Sequence, residues 1–560
     1  MDSPMQSDPT TQAATPALLS RCAAALDALD ALQATAKAGL AERLLRGGRV
    51  HGPTLEREQL AAHGYAWLAT YATALAALLA RACRLEAEGL FTPLEALLLE
   101  AGFSEYLAQV AGGIPMSQNE TVRLDDLGLP EAEADRFLAN PAVQALRRAG
   151  QARLRGAIAE AIARDEQPHE ALGDDTLDMI RDQFRRFAAE AVAPEAARIH
   201  REDALIPMAL LARMAELGVF GITIPEERGG QGLGKVAMCV VTEELSRASL
   251  AVGSLATRSE IAAELIAQNG TAAQQAAFLP GIASGDIIPT AVFTEPNTGS
   301  DLASIRTRAV LEDGRYRVSG GKTWITHAAR ADLMTVLVRT GAPEEGHRGL
   351  SILLAGKPRG TEEEPFPAAG MTGAEIKVLG YRGMKEYEIG FDGFDVPADR
   401  LLGGVAGEGF RQLMATFEAA RIQTAARAVG VAWNAYDLAL RYARERAQFG
   451  KPIFAFPRVH GKLAMMLVEN VIARELTLAA ARRKDGGGRC DIEAGMAKLL
   501  AARIAWSNAD AAVQIHGGNG YAEEYAVSRV LVDARILNIF EGAAEIQAGV
   551  IARGLLEGRN

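Results

Sequence analysis

The chain is expected to fold as an α+β protein with its helices and strands in separate domains, and three observations lead there. Apolar residues recur at helical spacing over about 17–288, alternate with polar ones over about 289–400, and return to helical spacing over about 404–560. That order argues against a doubly wound sheet. With 560 residues, the chain is long enough for several domains of about 100–200 residues each. Hydrophobic residues make up 49% and charged residues 23%, which excludes a disordered or fibrous chain.

Residues 1–16 are polar and acidic and are expected to form a disordered tail. They carry no basic stretch followed by an apolar one, so no secretory leader is read there. A helical extension is expected over 17–165, from runs such as LDALDALQATAKAGLAERLL and PLEALLLEAGF. Within it Ala61–Ala80 is uncharged but diluted by His63, Gly64, Thr70, Tyr71 and Thr73, so it reads as a packed helix and not as a bilayer span. QVAGGIPMSQNETVRLDDLGLP breaks the period and is expected to be a long loop. RDEQPHEALGDD marks the boundary to a second helical domain, 172–288, where Gly229, Gly230, Gly232 and Gly234 crowd into one turn. Their spacing does not fit a dinucleotide fingerprint.

Over 289–400, the segments RYRVSGGKTWIT, LMTVLVRT, GLSILLAG and EYEIGFDGFDVP predict a β-domain. In the last segment Phe394 and Val396 fall one position late relative to Tyr387, Ile389 and Phe391, which predicts a bulge near Gly393. Over 404–560 five amphipathic segments, about 410–446, 456–484, 490–515, 524–537 and 543–557, predict a helical bundle.

Lys and Arg total 59 against 70 Asp and Glu, a net charge of −11, so no basic field attracts nucleic acid. Cys22, Cys83, Cys239 and Cys490 lie far apart without a C-x-x-C pair. Neither a metal site nor a disulfide framework is expected, and a reduced cytoplasmic setting fits best.

Three segments mix glycine with polar residues in a way that suits chemistry. In AVFTEPNTGSDLASIRTRA, Thr294, Gly299 and Ser300 offer a hydroxyl and closely approachable backbone N–H groups, which suit a flavin edge and a pyrophosphate. In GGKTWITHAARAD, Trp324 offers a flat apolar wall and Thr326 a hydroxyl. The third is QIHGGNGYAEEYAVSRVLVD with IFEGAAEIQ. Taken in this order and spacing, the set resembles the acyl-CoA dehydrogenase family. FTEPNTGSD is similar to the family's first signature and QIHGGNGYAEEYAVSRVLVD to its second, with IPEERGGQGLG, KTWIT, RERAQFGKPI and FEGAAEIQ also in step, over about 172–560.

The resemblance implies the family fold of α-helical domain, β-domain and four-helix α-domain, here with an added helical N-terminal extension. It implies FAD, an acyl-CoA substrate, electron-transferring flavoprotein as acceptor and a homodimer or homotetramer. Carried over by residue, Phe293, Thr294, Gly299, Ser300, Trp324 and Thr326 would hold the flavin within one subunit, with Glu545 among the cofactor contacts. Arg446, Gln448, Phe449, Gln514, Gly517 and Gly518 would reach a neighbour's FAD. For Arg446, pairing with a helix dipole stays open. His516 is expected to be structural. Ala543 stands where the family commonly has Thr, and His327, Ala328 and Ala329 stand where Asn and glycines are usual.

Abstracting an α-proton beside a thioester needs a carboxylate made basic by an apolar, desolvated setting. Glu541, between Phe540 and Gly542 and after RILNIF, is expected to be that base with a raised pKa, since Ala420 occupies the family's alternative position. Its backbone N–H is implied as a donor to the enolate oxygen, with Gly542 beside it. Ser300, Arg421, Thr257, Arg258 and Gly542 are the candidate substrate contacts. Arg421 could instead pair with Glu418, and Arg258 with Glu260 or Glu264. If Arg258 is buried it wants a carboxylate, which favours a dicarboxylic monothioester over a fatty acyl chain. The helical extension is absent from ordinary family members, and an extended chain of this length resembles bacterial members acting on methylsuccinyl-CoA, which implies a short branched dicarboxylic acyl-CoA, methylsuccinyl-CoA oxidised to mesaconyl-CoA; another short branched acyl-CoA or glutaryl-CoA is the alternative. A flavin-bearing relative associated with nucleic acid is the non-enzyme reading, which the acidic total and the retained Glu541 count against. The extension is expected to shape the acyl pocket by capping its open end.

Overall fold

The computed structural model describes residues 9–559, with side chains from residue 15 onward. The first helix runs Pro9–Leu44. The tail expected over 1–16 is therefore helical from Pro9, where a proline suits the first helical position and alanines follow; residues 1–8 of that tail lie outside the described residues.

Helices Gln59–Ala87, Pro93–Gly112 and Gln151–Ala163 complete the frame of the extension. Thr92 caps the second of these through its hydroxyl, with Pro93 at its first position, while the preceding helix has already ended at Ala87, before the left-handed Gly89. The expected long loop contains a short antiparallel pairing, Ile114 with Val122 and Pro115 with Thr121. The helix containing Ala61–Ala80 has the length and apolarity of a membrane span, yet 67% of its apolar window is buried inside the fold, so that face is occupied by protein contacts. Tyr65, Tyr71, Phe103 and Tyr106 are fully buried there, with Tyr71 stacked on Tyr106 at 4.2 Å.

Seven strands form one curled sheet. Along it run Met371–Ile376, Glu386–Pro397, Arg315–Thr326, Arg308–Glu312, Leu333–Arg339 and Pro289–Val292, and Leu350–Gly356 pairs antiparallel with Leu333–Arg339. The bulge lies where predicted. Phe391 pairs with Gly320 and Phe394 with Val318, and Gly393 between them takes φ 64°, a conformation that favours glycine. The extra residue turns Phe394 and Val396 back onto the buried face with Tyr387, Ile389 and Phe391.

The C-terminal helices are Gly409–Glu445, Pro457–Asp485, Asp491–His516, Ala526–Ile536 and Ala544–Leu556. The first begins beside the sheet, where Phe417 meets Phe293 edge-on at 6.3 Å between ring centroids. It then passes along helices Lys235–Ala248 and Leu250–Asn269 of the second domain. This long rod and the turn before Ala544–Leu556 create the site.

The extension packs on the outer side of this bundle. Arg503 is one of its polar ties, beside Arg444 to the Ile162 carbonyl and Arg81 to Glu475. It donates to the Tyr71 hydroxyl at 2.8 Å and the Pro115 carbonyl at 2.7 Å, and lies over the rings of Trp67 and Tyr71. A charged hydrogen bond contributes about 1.5–3 kcal/mol and a cation–π contact about 0.5–2 kcal/mol. Arg503→Met should therefore lower the thermal midpoint by several degrees and speed tryptic cleavage within 17–165; unchanged proteolysis would show that the tie is dispensable.

Candidate active site

Glu541 occupies a turn that ordinary side chains avoid. Its φ is 52° and that of Gly542 is 90°, two successive left-handed residues. Such a conformation costs about 1–2 kcal/mol for a non-glycine residue and persists only where its surroundings enforce it. Here Lys498 donates to the Gly542 carbonyl at 2.6 Å, and the Gln547 amide reaches the Glu541 and Gly542 carbonyls at 3.2 and 3.3 Å. A Cβ on Gly542 would lie 2.0 Å from Gln547 Nε2 and displace that amide, and φ 90° itself favours glycine. Among the described residues the Glu541 N–H has no acceptor, which leaves it free for a ligand oxygen.

The carboxylate of Glu541 is held by two arginines from two different helices. Arg258, on Leu250–Asn269, donates to Oε1 at 2.5 Å. Arg427, on Gly409–Glu445, pairs with Oε2, which the Thr424 hydroxyl also bonds. Arg427 is fully buried; it reaches Ser254 Oγ at 2.9 Å and Thr424 Oγ1 at 2.7 Å, and lies 4.9 Å from the Phe540 ring centroid. This corrects the expectation of a raised pKa. Burial pushes the carboxyl up, but Arg427 and Arg258, with Thr424, outweigh it and hold Glu541 below the usual glutamate range. The apolar run before it is real, and the cations come from remote parts of the chain.

Around this pair lie further buried ionisable groups. Burial pushes Lys498 down to about 7. Burial pushes Glu386 up to about 8, against its hydrogen bonds with the Thr326 hydroxyl at 2.9 and 3.0 Å and the influence of Arg258. The Tyr381 hydroxyl is buried without a hydrogen-bond partner, and its ring meets Phe540 edge-on at 5.4 Å. His327 is fully buried with both ring nitrogens unpartnered, and burial drives it down to about 3, so it is neutral.

Arg258 does not pair with Glu260 or Glu264, which both bind Lys235. Thr257, beside it, is buried with an unpartnered hydroxyl. Arg421 does not pair with Glu418, which binds Lys484 at 2.8 Å; the Arg421 guanidinium instead stands 5.9 Å from the Phe417 ring centroid, next to Phe293. Glu545 is exposed in the first turn of Ala544–Leu556. His516 is stacked on Tyr442 at 4.1 Å and bonded to the Ala512 carbonyl. Among the described residues no extension side chain bonds Arg258 or Glu541. Helix Gln59–Ala87 of the extension packs on Ala544–Leu556, the helix that follows the base turn.

The candidate flavin residues form two groups. Phe293, Thr294, Gly299, Ser300, Trp324 and Thr326 lie on the β-domain. Glu295 organises their loop, accepting from the Arg306 and Thr307 N–H groups at 2.8 Å and from Lys322 at 3.0 Å, while Lys322 also bonds the Phe293 carbonyl. Trp324 is left-handed at φ 59° and 56% exposed, and a Cβ on Gly299 would meet nothing within 4 Å. An open loop of N–H groups beside an exposed indole wall fits a flavin and its pyrophosphate. Arg446, Gln448, Phe449, Gln514, Gly517 and Gly518 are all exposed, Phe449 by 92%. They sit at the far end of the rod, about 29 residues or about 43 Å of helix from Phe417. The two groups therefore cannot hold one dinucleotide within a single chain.

Arg427, Thr424, Lys498, Glu386, Tyr381 and Glu295 were not singled out from sequence. Arg427 and Lys498 did leave a signal, a lone cation on the apolar stripe of an amphipathic helix.

Comparison with known proteins places this geometry. Residues 174–286, 290–394 and 407–556 match the N-terminal, middle and C-terminal domains of acyl-CoA dehydrogenases. Over 546 residues the chain is 59% identical to a (2S)-methylsuccinyl-CoA dehydrogenase of Cereibacter sphaeroides, covering 96% of this chain and 98% of that one, extension included. Butyryl-CoA dehydrogenase from Megasphaera elsdenii superposes with a TM-score of 0.65 at 30% identity, over 70% of this chain and 100% of its own. A glutaryl-CoA dehydrogenase bound to glutaryl-CoA does so with a TM-score of 0.65 at 32% identity, over 70% and 97%. By sequence and by fold, the chain belongs to the acyl-CoA dehydrogenase family, whose members are FAD-dependent oxidoreductases.

Proposed function

We propose that the enzyme oxidises methylsuccinyl-CoA to mesaconyl-CoA, with Glu541 as the base. One observation carries the dicarboxylic substrate: the buried charge around Glu541 does not balance. Arg258 and Arg427 bring two positive charges against one ionised carboxylate, and Glu386, pushed up to about 8, is protonated at neutral pH. A buried surplus of positive charge calls for an anion, and a second carboxylate on the acyl group supplies it. The identity to the Cereibacter enzyme over nearly the whole length supports the same acyl group.

Glu541 then takes the proton from the carbon next to the thioester, and its free N–H together with Gly542 faces the oxygen on which charge develops. Arg427, Thr424 and Lys498 hold the base and its turn in place. Bound FAD, held by Phe293, Thr294, Gly299, Ser300, Trp324 and Thr326, supplies the acceptor for the β-hydrogen. Arg421, Thr257 and Ser300 line the route of the thioester. Two copies at least are needed, since the group around Phe449 serves a neighbour's dinucleotide. Electron-transferring flavoprotein receives the electrons, in the cytoplasm.

Anaerobic bleaching of the purified yellow protein by methylsuccinyl-, glutaryl-, isovaleryl- and butyryl-CoA tests the reading. Rapid bleaching by methylsuccinyl-CoA alone is expected; preference for glutaryl-CoA would move the assignment. Glu541→Gln should keep its flavin and lose bleaching by at least about 10³-fold, the scale of losing a general base.

Glu386 gives a stability test. Its folded pKa is raised above the unfolded value, so the unfolded state gives up its proton first and stability falls as pH rises from the ordinary glutamate range to about 8. Glu386→Gln should therefore raise the melting temperature at pH 8 and change it little at pH 5. An equal effect at both would show that Glu386 is ionised throughout.

A further inference from the structure

The two arginines on Glu541 are anchored very differently. Arg427 keeps Ser254, Thr424 and the Phe540 ring if the carboxylate is removed. For Arg258, Glu541 is the one hydrogen-bond partner among the described residues, and its Nε is buried with none. Arg258 also borders a small cavity with Leu255, Ser259, Ile288 and His327, none of them in the turn that carries Glu541. Neutral His327 offers no competing charge there.

We propose that Arg258 exchanges partners when substrate enters: it leaves Glu541 for the distal carboxylate of the acyl group, so that a dicarboxylic substrate releases the base that attacks it. The inference rests on the dicarboxylic reading above. No bond is made or broken in the step; one charged hydrogen bond replaces another. It links recognition to reactivity, because a carboxylate clamped by two guanidiniums is a weak base, and removing one cation strengthens it. A monocarboxylic acyl-CoA offers Arg258 nothing and leaves Glu541 clamped. Besides Arg427, the charged or titratable groups facing the pair are Lys498 from Asp491–His516, Glu386 from the sheet, and Tyr381 and His327 from the loops beside it.

The test is the limiting rate of flavin reduction in the FAD-loaded enzyme, followed against pH by anaerobic stopped flow. Methylsuccinyl-CoA is compared with 2-methylbutyryl-CoA, which has the same branch and no carboxylate. In the wild type, the dicarboxylic substrate should be at least 100-fold faster at saturation, beyond any difference in KM. In Arg258→Met, that advantage should vanish, while the limiting rate with 2-methylbutyryl-CoA rises about tenfold and the acid limb of its pH profile moves upward. Arg258→Lys, which keeps the charge, should restore part of the preference and guards against a misfolded Met variant. If Arg258→Met loses only KM for methylsuccinyl-CoA, with the monocarboxylic rate and pH profile unmoved, Arg258 is a passive receptor and the exchange is overturned. A wild type reduced equally fast at saturation by both substrates overturns it as well. Failure of the dicarboxylic reading looks different: methylsuccinyl-CoA would then bleach the wild type no better than the other thioesters at any concentration.

Discussion

The pairing of one largely buried carboxylate with two guanidiniums ties together three parts of the chain that are far apart in sequence. Arg258 comes from a helix of the second domain, Arg427 from the middle of the long C-terminal rod, and Glu541 from a turn near the end. Removing one partner of such a cluster leaves an uncompensated buried charge, which is far costlier than losing a surface ion pair. The rest of the local architecture serves it. Lys498 and Gln547 hold a left-handed turn that would otherwise relax, and Phe540 lies against both Arg427 and Tyr381.

The β-domain answers with a different economy of charge. Glu295 and Lys322 are also buried, but they satisfy one another and the surrounding backbone, so their function is to shape the loop carrying Thr294, Gly299 and Ser300. Burial pushes Glu295 up, yet Lys322 and the N–H groups bring it below the usual range, as befits a fixed structural anion. The contrast separates the two kinds of buried ion on physical grounds. One network closes on itself; the other is left with a positive excess and an unpartnered Nε on Arg258.

Much of this was legible in the sequence because it depends on local pattern. Alternation marked the strands, the one-position slip of Phe394 marked the bulge, and helical spacing marked the C-terminal segments to within a few residues. Glu541 was legible from its motif. Its electrostatic setting was not, since the cations that define it are more than a hundred positions away and only the fold brings them near. The same holds for Arg258: Glu260 and Glu264 were the near neighbours in sequence, but a helix presents them to Lys235 on another face. The tail at 9–16 was misread because polar composition says little about a helix that alanine and a leading proline permit.

The helix Gly409–Glu445 holds Arg427 and Thr424 in its middle and Phe417 toward one end, and Arg446 follows its other end. It is therefore a lever as well as a scaffold. Over about 43 Å, a tilt of about 3° displaces one end by about 2 Å, more than a hydrogen bond tolerates. The end near Phe449 and the side chains that clamp Glu541 thus share one continuous helix, and a shift of either is a shift of the same rigid element.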